Sequence, residues 1–266
     1  MQLTIEHRTR YAFGRPVNYT IQELRLTPQD GFGQRVKRWE IRVNGAISSH
    51  SDAFGNAAHT LVVDRPHEEI NITAIGEVET DLDLPPQKDA LPLAVFLRAT
   101  PLTLAHEALG DFATLFRAKN GRVDELGLAA LMHAIRERVK LRVDIAAPRV
   151  SALQAFVAGE GTCRDHAHIF IACCRKLGVP ARFVSGYRFT KDGSRMESHA
   201  WADAWLEGKG WQSFDVTYGE RANGIHVRLA TGLDERDACP VNGVPHGSDD
   251  LMSCSVSASS MKQSQQ

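Results

Sequence analysis

Gly159–Pro180, GEGTCRDHAHIFIACCRKLGVP, encodes a glycine-bearing loop, a helix with a cysteine at its mouth, and a helix stop. Gly159 and Gly161 permit a tight turn and close backbone approach. Thr162 is a fitting N-cap, which sets Cys163 in the first helical turn. Phe170, Cys174 and Leu177 follow Cys163 at helical spacing and can share a buried face. Gly178 supplies a left-handed end, and Pro180 forbids continuation. A thiol at a helix N-terminus feels the positive end of the backbone dipole, which favours thiolate. That field contributes about 0.3–1 kcal/mol, at most about 2. Lowering a free cysteine from about 8.5 to about 4 takes ~6 kcal/mol. A reactive Cys163 therefore needs a cationic partner, most naturally a histidine.

Downstream the period changes from 3.6 to 2. Ala181–Phe189 (ARFVSGYRF) reads as a strand, Lys191–Arg195 as a polar turn, and Ser198–Leu206 (SHAWADAWL) as a strictly alternating strand. One face of the latter carries His199, Trp201, Asp203 and Trp205; the other carries Ala200, Ala202, Ala204 and Leu206. Gly208-Lys209-Gly210 turns the chain into a strand at Trp211–Val216. Upstream, helical spacing predicts helices at about Leu102–Ala118, Glu125–Leu141 and Ser151–Ala158. Residues 1–80 alternate over short runs broken by Asn44-Gly45 and Gly55-Asn56, the pattern of an antiparallel β domain. Residues 81–101, with Pro85, Pro86, Pro92 and Pro101, read as a linker. Residues 221–247 read as loop with a short strand at Ile225–Leu229, and the Ser/Gln-rich end, 257–266, as a disordered tail. The expected fold class is α+β: an N-terminal β domain (1–80), the linker (81–101), and a core of helices and antiparallel strands with a C-terminal extension (102–256).

The chain has 266 residues, a net charge of −1, 43% hydrophobic and 24% charged residues. That balance gives no electrostatic case for nucleic acid or an anionic membrane surface as partner. The start, MQLTIEHRTR, has no apolar core of a signal peptide, and no apolar run is long enough to span a membrane. Five cysteines, two of them adjacent at Cys173-Cys174, fit a reducing, cytoplasmic compartment.

The candidate site is Cys163, His199 and Asp215: a thiol, an imidazole and a carboxylate are the parts of a thiol acyl-transfer centre. A hairpin symmetric about Lys209 would set Asp215 opposite Asp203, about 13 Å along the strand from the position opposite His199 at ~3.3 Å per residue. Contact then requires an offset register or a bulge. His166 shares the cysteine's helix and points along the nucleophile rather than across a cleft. His166 and His168 lie on nearly opposite helix faces, and the chain has no CxxC or HExxH pattern, so no metal site is expected. Trp201, on the His199 face, is a candidate cleft wall for substrate binding. No cofactor is called for. The backbone N–H of Cys163 is one donor that could serve an oxyanion.

GTCRDHAHIFIACCRKLGVPARFVSGY, followed by HAWADAWLEGKGWQSFD, resembles the transglutaminase-like core domain, and the chain resembles the bacterial transglutaminase-like cysteine proteases along most of its length. Asp215-Val216-Thr217 stands where the family has Asp-Pro-Thr, and Leu233 and Glu235 stand where it tends to have Arg and Tyr. The stretch His226–Asp237 (HVRLATGLDERD) also resembles the family. The resemblance implies Cys163 as nucleophile, His199 as base and Asp215 as third member. It implies a papain-like core, with the cysteine helix packed on the sheet that carries His and Asp. The implied substrate is a peptide or protein amide, cleaved through a Cys163 thioester. A transglutaminase with an amine acceptor and a catalytically silent peptide-binding module are the alternatives. The N-terminal β domain could hold a partner or form a homo-oligomer.

Overall fold

The computed structural model describes residues 1–86, 88–118, 121–144, 147–190 and 196–243, and residues 251–260 by their backbone. The chain begins with β1 (Gln2–Val17), β2 (Thr20–Leu24), β3 (Arg35–Val43), β4 (Ala46–Ser51), β5 (Ala57–Val63) and β6 (His67–Glu79). They form two antiparallel groups, β1-β6-β3 and β2-β5-β4. Period-two patterning gives each strand one apolar face: Leu3 and Ile5 of β1, Leu61 and Val63 of β5, and Ile70, Ile72, Ala74 and Val78 of β6 are buried. Residues 82–84 run against the loop before β3, with Gly33 N–H donating to Leu84 O and Leu82 N–H to Gly33 O. A 3-10 turn at Leu93–Leu97 then buries Phe96.

The helical layer holds α1 (Glu107–Thr114) and α2 (Glu125–Arg138), then β7 (Lys140–Leu141), α3 (Ala152–Ala158), β8 (Glu160–Gly161) and α4 (Cys163–Lys176). α1 is shorter than the expected Leu102–Ala118, and α2 stops before Leu141 because Lys140 and Leu141 pair with β8 in parallel. A capping box between Ser151 and Gln154 starts α3. Gly159 ends it at φ 69°, a left-handed conformation that glycine adopts without strain. The chain then enters α4 within four residues.

β9 (Ala181–Phe189), β10 (Met196–Leu206), β11 (Gly210–Asp215), β12 (Glu220–Arg221) and β13 (His226–Gly232) form an antiparallel sheet ordered β12-β11-β10-β9-β13. α4 lies between this sheet and α1, α2 and α3. Its Phe170 ring meets Phe214 of β11 at 5.0 Å between centroids, and His168 meets Phe183 of β9 at 5.0 Å. The polar turn expected at Lys191–Arg195 lies outside the described residues. β13 is longer than the strand expected at Ile225–Leu229.

The chain then passes α5 (Glu235–Ala238) and returns to the N-terminal sheets. β14 (Val241–Asn242) pairs with β2, and β15 (Leu251–Ser260) pairs with β1 over its whole length. This corrects the expected tail: residues 257–260 are strand, and 261–266 lie outside the described residues. β1 would otherwise expose a row of unpaired backbone groups as an edge strand, and β15 satisfies them. Composition hid the signal, since Met252, Cys254, Val256 and Ala258 alternate with serines.

Phe170 is fully buried at the centre of the α4–sheet contact. Phe170→Ala is expected to lower the unfolding free energy by about 3–5 kcal/mol, read as a shift in the urea midpoint. A change below ~1 kcal/mol would show that this contact does not anchor the helix.

Candidate active site

Cys163 is the first residue of α4. Thr162, at the N-cap, donates both its N–H (2.7 Å) and its hydroxyl (2.8 Å) to Asp165 Oδ2. This carboxylate fastens the turn that carries the thiol. Gly161 is required beside it, because a Cβ there would lie 2.8 Å from Asp165 Cβ.

The β10–β11 hairpin brings Asp215 to His199 without a bulge. Its register is Leu206↔Gly210, Ala204↔Gln212 and Ala202↔Phe214, so it is centred on Gly208 and not on Lys209. Continued one step, that register sets Asp215 opposite Trp201, on the face and diagonal that reach His199. His199 Nε2–H donates to Asp215 Oδ2 at 2.9 Å, with Asp215 fully buried and His199 7% exposed. Nδ1 of the ring is thereby left free of the carboxylate, and Cys163, which lines the same cleft, helps to hold the ring's charge. Asp203, also fully buried, is engaged elsewhere, by Arg182, Arg228 and Ser213.

A second imidazole reaches the same carboxylate. His226 Nε2–H donates to Asp215 Oδ2 at 3.0 Å, and His226 Nδ1 accepts from Asn223 N–H at 3.1 Å. That second bond fixes the tautomer, with the proton on Nε2. Asp215 Oδ1 accepts from Tyr218 N–H at 3.3 Å, and Arg188 Nε stands 3.6 Å from Oδ2. The Arg188 guanidinium lies 3.5 Å over the Tyr218 ring, whose other neighbour is His199 at 5.5 Å.

These contacts set the charges. Burial alone would push the His199 ring down; the Asp215 carboxylate, then Cys163, more than offset it and hold the ring at about 10. Burial would raise Asp215, but His199 first and His226 second hold it well below the usual carboxylate range. Burial keeps His226 below the ordinary histidine value despite Asp215. The carboxylate thus faces one cationic and one neutral ring.

The ring nitrogens of His199 and His226 and the Asp215 oxygen lie within 4.8 Å of one another, close enough to hold a metal ion. However, both Nε2 atoms are spent as N–H donors to Oδ2, and Asn223 occupies the other nitrogen of His226. The pattern suits protons better than an ion.

A cleft of about 240 Å³ opens over Cys163 and His199. The candidate cleft wall Trp201 does not line it. Trp201 is 1% exposed and stacks behind His199 at 6.2 Å, with its edge toward His226 at 5.3 Å. Its indole lies over Gly186, where a Cβ would come within 2.7 Å of the ring, so Trp201 packs against the sheet. His166 is buried and held by Thr217 Oγ1 and Val139 O. Sequence reasoning missed His226, Arg188, Tyr218 and the three β1 residues of the cleft, His7, Thr9 and Tyr11. His226 could have been found as the histidine opening the last family-like stretch.

Residues 3–79 match the bacterial transglutaminase-like N-terminal region, and residues 115–216 match the transglutaminase-like superfamily. The chain belongs to the transglutaminase-like superfamily. An uncharacterized protein of Mycobacterium leprae is 27% identical over 266 residues, which cover 92% of this chain and 94% of that one. An uncharacterized protein of Mycobacterium tuberculosis is 25% identical over 272 residues, covering 90% and 86%. A candidate cysteine protease of known structure from Cytophaga hutchinsonii shares the fold, with a TM-score of 0.80 at 22% identity over 100% of this chain and 92% of that chain. The superfamily match ends at Val216, so His226 and the returning strands lie beyond it. Among the described residues no helix is long and apolar enough to cross a membrane.

The His199–Asp215 pair has a defined pH signature. The raised His199 contributes fully below about pH 6.5 and loses its contribution as pH climbs through about 10. The depressed Asp215 contributes above about pH 4 and loses its contribution only in strong acid. Asp215→Asn is expected to lower the melting temperature by roughly 5–10 °C at pH 7, with the gap closing above pH 10. The His199 ring, followed by NMR, should titrate below about 6.5 in that variant. Equal melting at pH 7 would show that the pair carries no stability.

Proposed function

We propose that this chain is a thiol-dependent acyl-transfer enzyme that hydrolyses peptide or amide bonds through a thioester on Cys163. The observation that carries the reading is a single imidazole, His199, hydrogen-bonded to a buried carboxylate and lining one cleft with a thiol at a helix N-terminus. A ring held cationic at neutral pH is suited to stabilise a thiolate beside it and to deliver a proton.

In this reading the Cys163 thiolate attacks the amide carbon, and the carbonyl oxygen takes the negative charge. The first-turn N–H groups of α4 lack intrahelical partners and face that oxygen, with Cys163 N–H the first donor. As the tetrahedral intermediate collapses, the C–N bond breaks and His199 gives its Nδ1 proton to the departing amine. Water then attacks the thioester, His199 takes a proton from it, and collapse releases the acid and restores the thiolate–imidazolium pair. Asp215 orients the ring and balances its charge throughout. The exposed rim of the cleft at Arg142, Asp144 and Glu197 favours water over an excluded-water route to an amine acceptor. The described cysteines are free thiols, which agrees with a cytoplasmic setting.

Two outcomes test this. Cys163→Ser should abolish turnover of a peptide substrate mixture while leaving the melting curve in place, and Cys163 should alkylate rapidly with iodoacetamide near pH 6 in the wild type but not in His199→Ala. An ordinary thiol profile in both proteins would sink the assignment.

His226 serves as a positioning residue, the second N–H on Asp215. His226→Ala should lower kcat/KM about 10- to 100-fold and move the acid limb of the pH–rate profile, with partial rescue by His226→Gln. An unchanged pH profile would assign His226 to packing alone.

A further inference from the structure

The cleft exists because small side chains separate two packed blocks. On one face of β9, Phe183 packs under α4 through His168, and Tyr187 packs under β1, where its hydroxyl bonds His7 Nδ1 at 2.7 Å. Ser185 lies between them, and opposite it in register stands Ala200, flanked by Ser198. Among the described residues nothing large fills this gap. α4 with Cys163 closes one side, β1 with Thr9 and Tyr11 closes another, and Pro240 and Val241 of the returning chain close a third.

The chemistry of the lining is specific. Arg164 and Glu235 neutralise one another at 2.8 Å, and Arg149 adds a second contact to the same carboxylate oxygen at 3.1 Å. His7, buried between Tyr187 and Thr9, is held neutral by desolvation, at about 4. The remaining charges sit on the exposed rim. Two apolar side chains, Leu141 and Val143, stand 42% and 88% exposed on that rim. On the floor, Ser185 is 4% exposed and its hydroxyl finds no partner among the described residues. A buried orphan hydroxyl at the base of an otherwise neutral, largely apolar recess is a place for one hydrogen bond from a ligand.

We infer that this recess is the subsite for the acyl half of the substrate, that it takes one large uncharged side chain, aromatic or branched aliphatic, on the residue supplying the scissile carbonyl, and that β1 of the N-terminal sheet forms its wall. The size is appropriate: a dry apolar cavity of about 150 Å³ admits benzene, and this cleft of about 240 Å³ takes one such side chain and its backbone. Ser185 bonds the substrate backbone beside it. A Glu or Lys side chain would enter among described residues whose buried charges are already engaged, a large desolvation cost. This inference rests on Cys163 being the nucleophile.

The test uses acyloxymethyl ketones, which carry only the acyl-side residues to a thiol, with iodoacetamide as a reagent that needs no subsite. In the wild-type full chain, probes bearing Phe or Leu should label Cys163 at least tenfold faster than those bearing Gly, Glu or Lys. Val241→Lys, half-buried and therefore tolerant, should raise the Glu probe's rate at the expense of Phe, with its melting curve confirming the fold. Iodoacetamide labelling with no side-chain preference, or a preference for Glu or Lys, would overturn the subsite while leaving the Cys163 reading intact. Labelling by neither reagent would overturn both.

Discussion

A carboxylate with no exposed surface is the constraint around which this structure is arranged. Burying an ionised Asp215 is costly unless partners compensate, and removing one partner of such a pair typically costs about 3–5 kcal/mol. Its compensation comes from three separate parts of the sheet: His199 of β10, His226 of β13, and the Arg188 charge of β9. The three are not equivalent. Asn223 locks His226 as a neutral donor, so the positive charge that the carboxylate stabilises collects on His199. That is the ring facing the thiol. The geometry thus converts the need to satisfy a buried anion into a cation beside Cys163, which the helix dipole alone is far too weak to supply.

Delivery of the thiol is a backbone problem solved over a few residues. Gly159 ends α3 in a left-handed conformation, and Gly161 leaves room for Asp165 to fold back over Thr162. α4 then begins at Cys163, so the helix opens at the cleft. The helix is held there by its apolar face, through Phe170 on Phe214. The same two strands that carry His199 and Asp215 on one face carry Ala200, Ala202, Ala204 and Phe214 on the other. One period-two pattern therefore serves both packing and chemistry.

Much of this was legible in the sequence, because local patterns encode it. The strand Ala181–Phe189 and the helix opening at Cys163 follow from alternation, an N-cap and a Gly-Pro stop. What was not legible depends on register and on distant pairing. A shift of the hairpin centre from Lys209 to Gly208 changes Asp215's distance from His199 from four strand positions to two. No local residue pattern marks that difference, since glycines stand on both sides of Lys209. Trp201 was misplaced because alternation gives its face but not what lies beyond it. That face is covered by His226 and Gly186, contacts made across the sheet. The C-terminal strand was hidden by serine, a residue that composition assigns to solvent and an unpaired sheet edge accepts.

The last part of the chain also explains why the N-terminal sheets are more than an attachment. β13 delivers His226. Glu235 of α5 donates its N–H to His168 Nε2, while its carboxylate holds Arg164, the residue next to Cys163. β14 and β15 then cross back to β2 and β1. The stretch that completes Asp215's coordination is therefore stitched into the same sheets whose β1 supplies Thr9 and Tyr11 to the cleft. A shift of β1 would be transmitted through Tyr187 to β9, and Gly186 of β9 is paired with His199. In an interior packed to crystal-like density such movements are not absorbed locally, so the position of the N-terminal sheet and the geometry of the imidazole are set together.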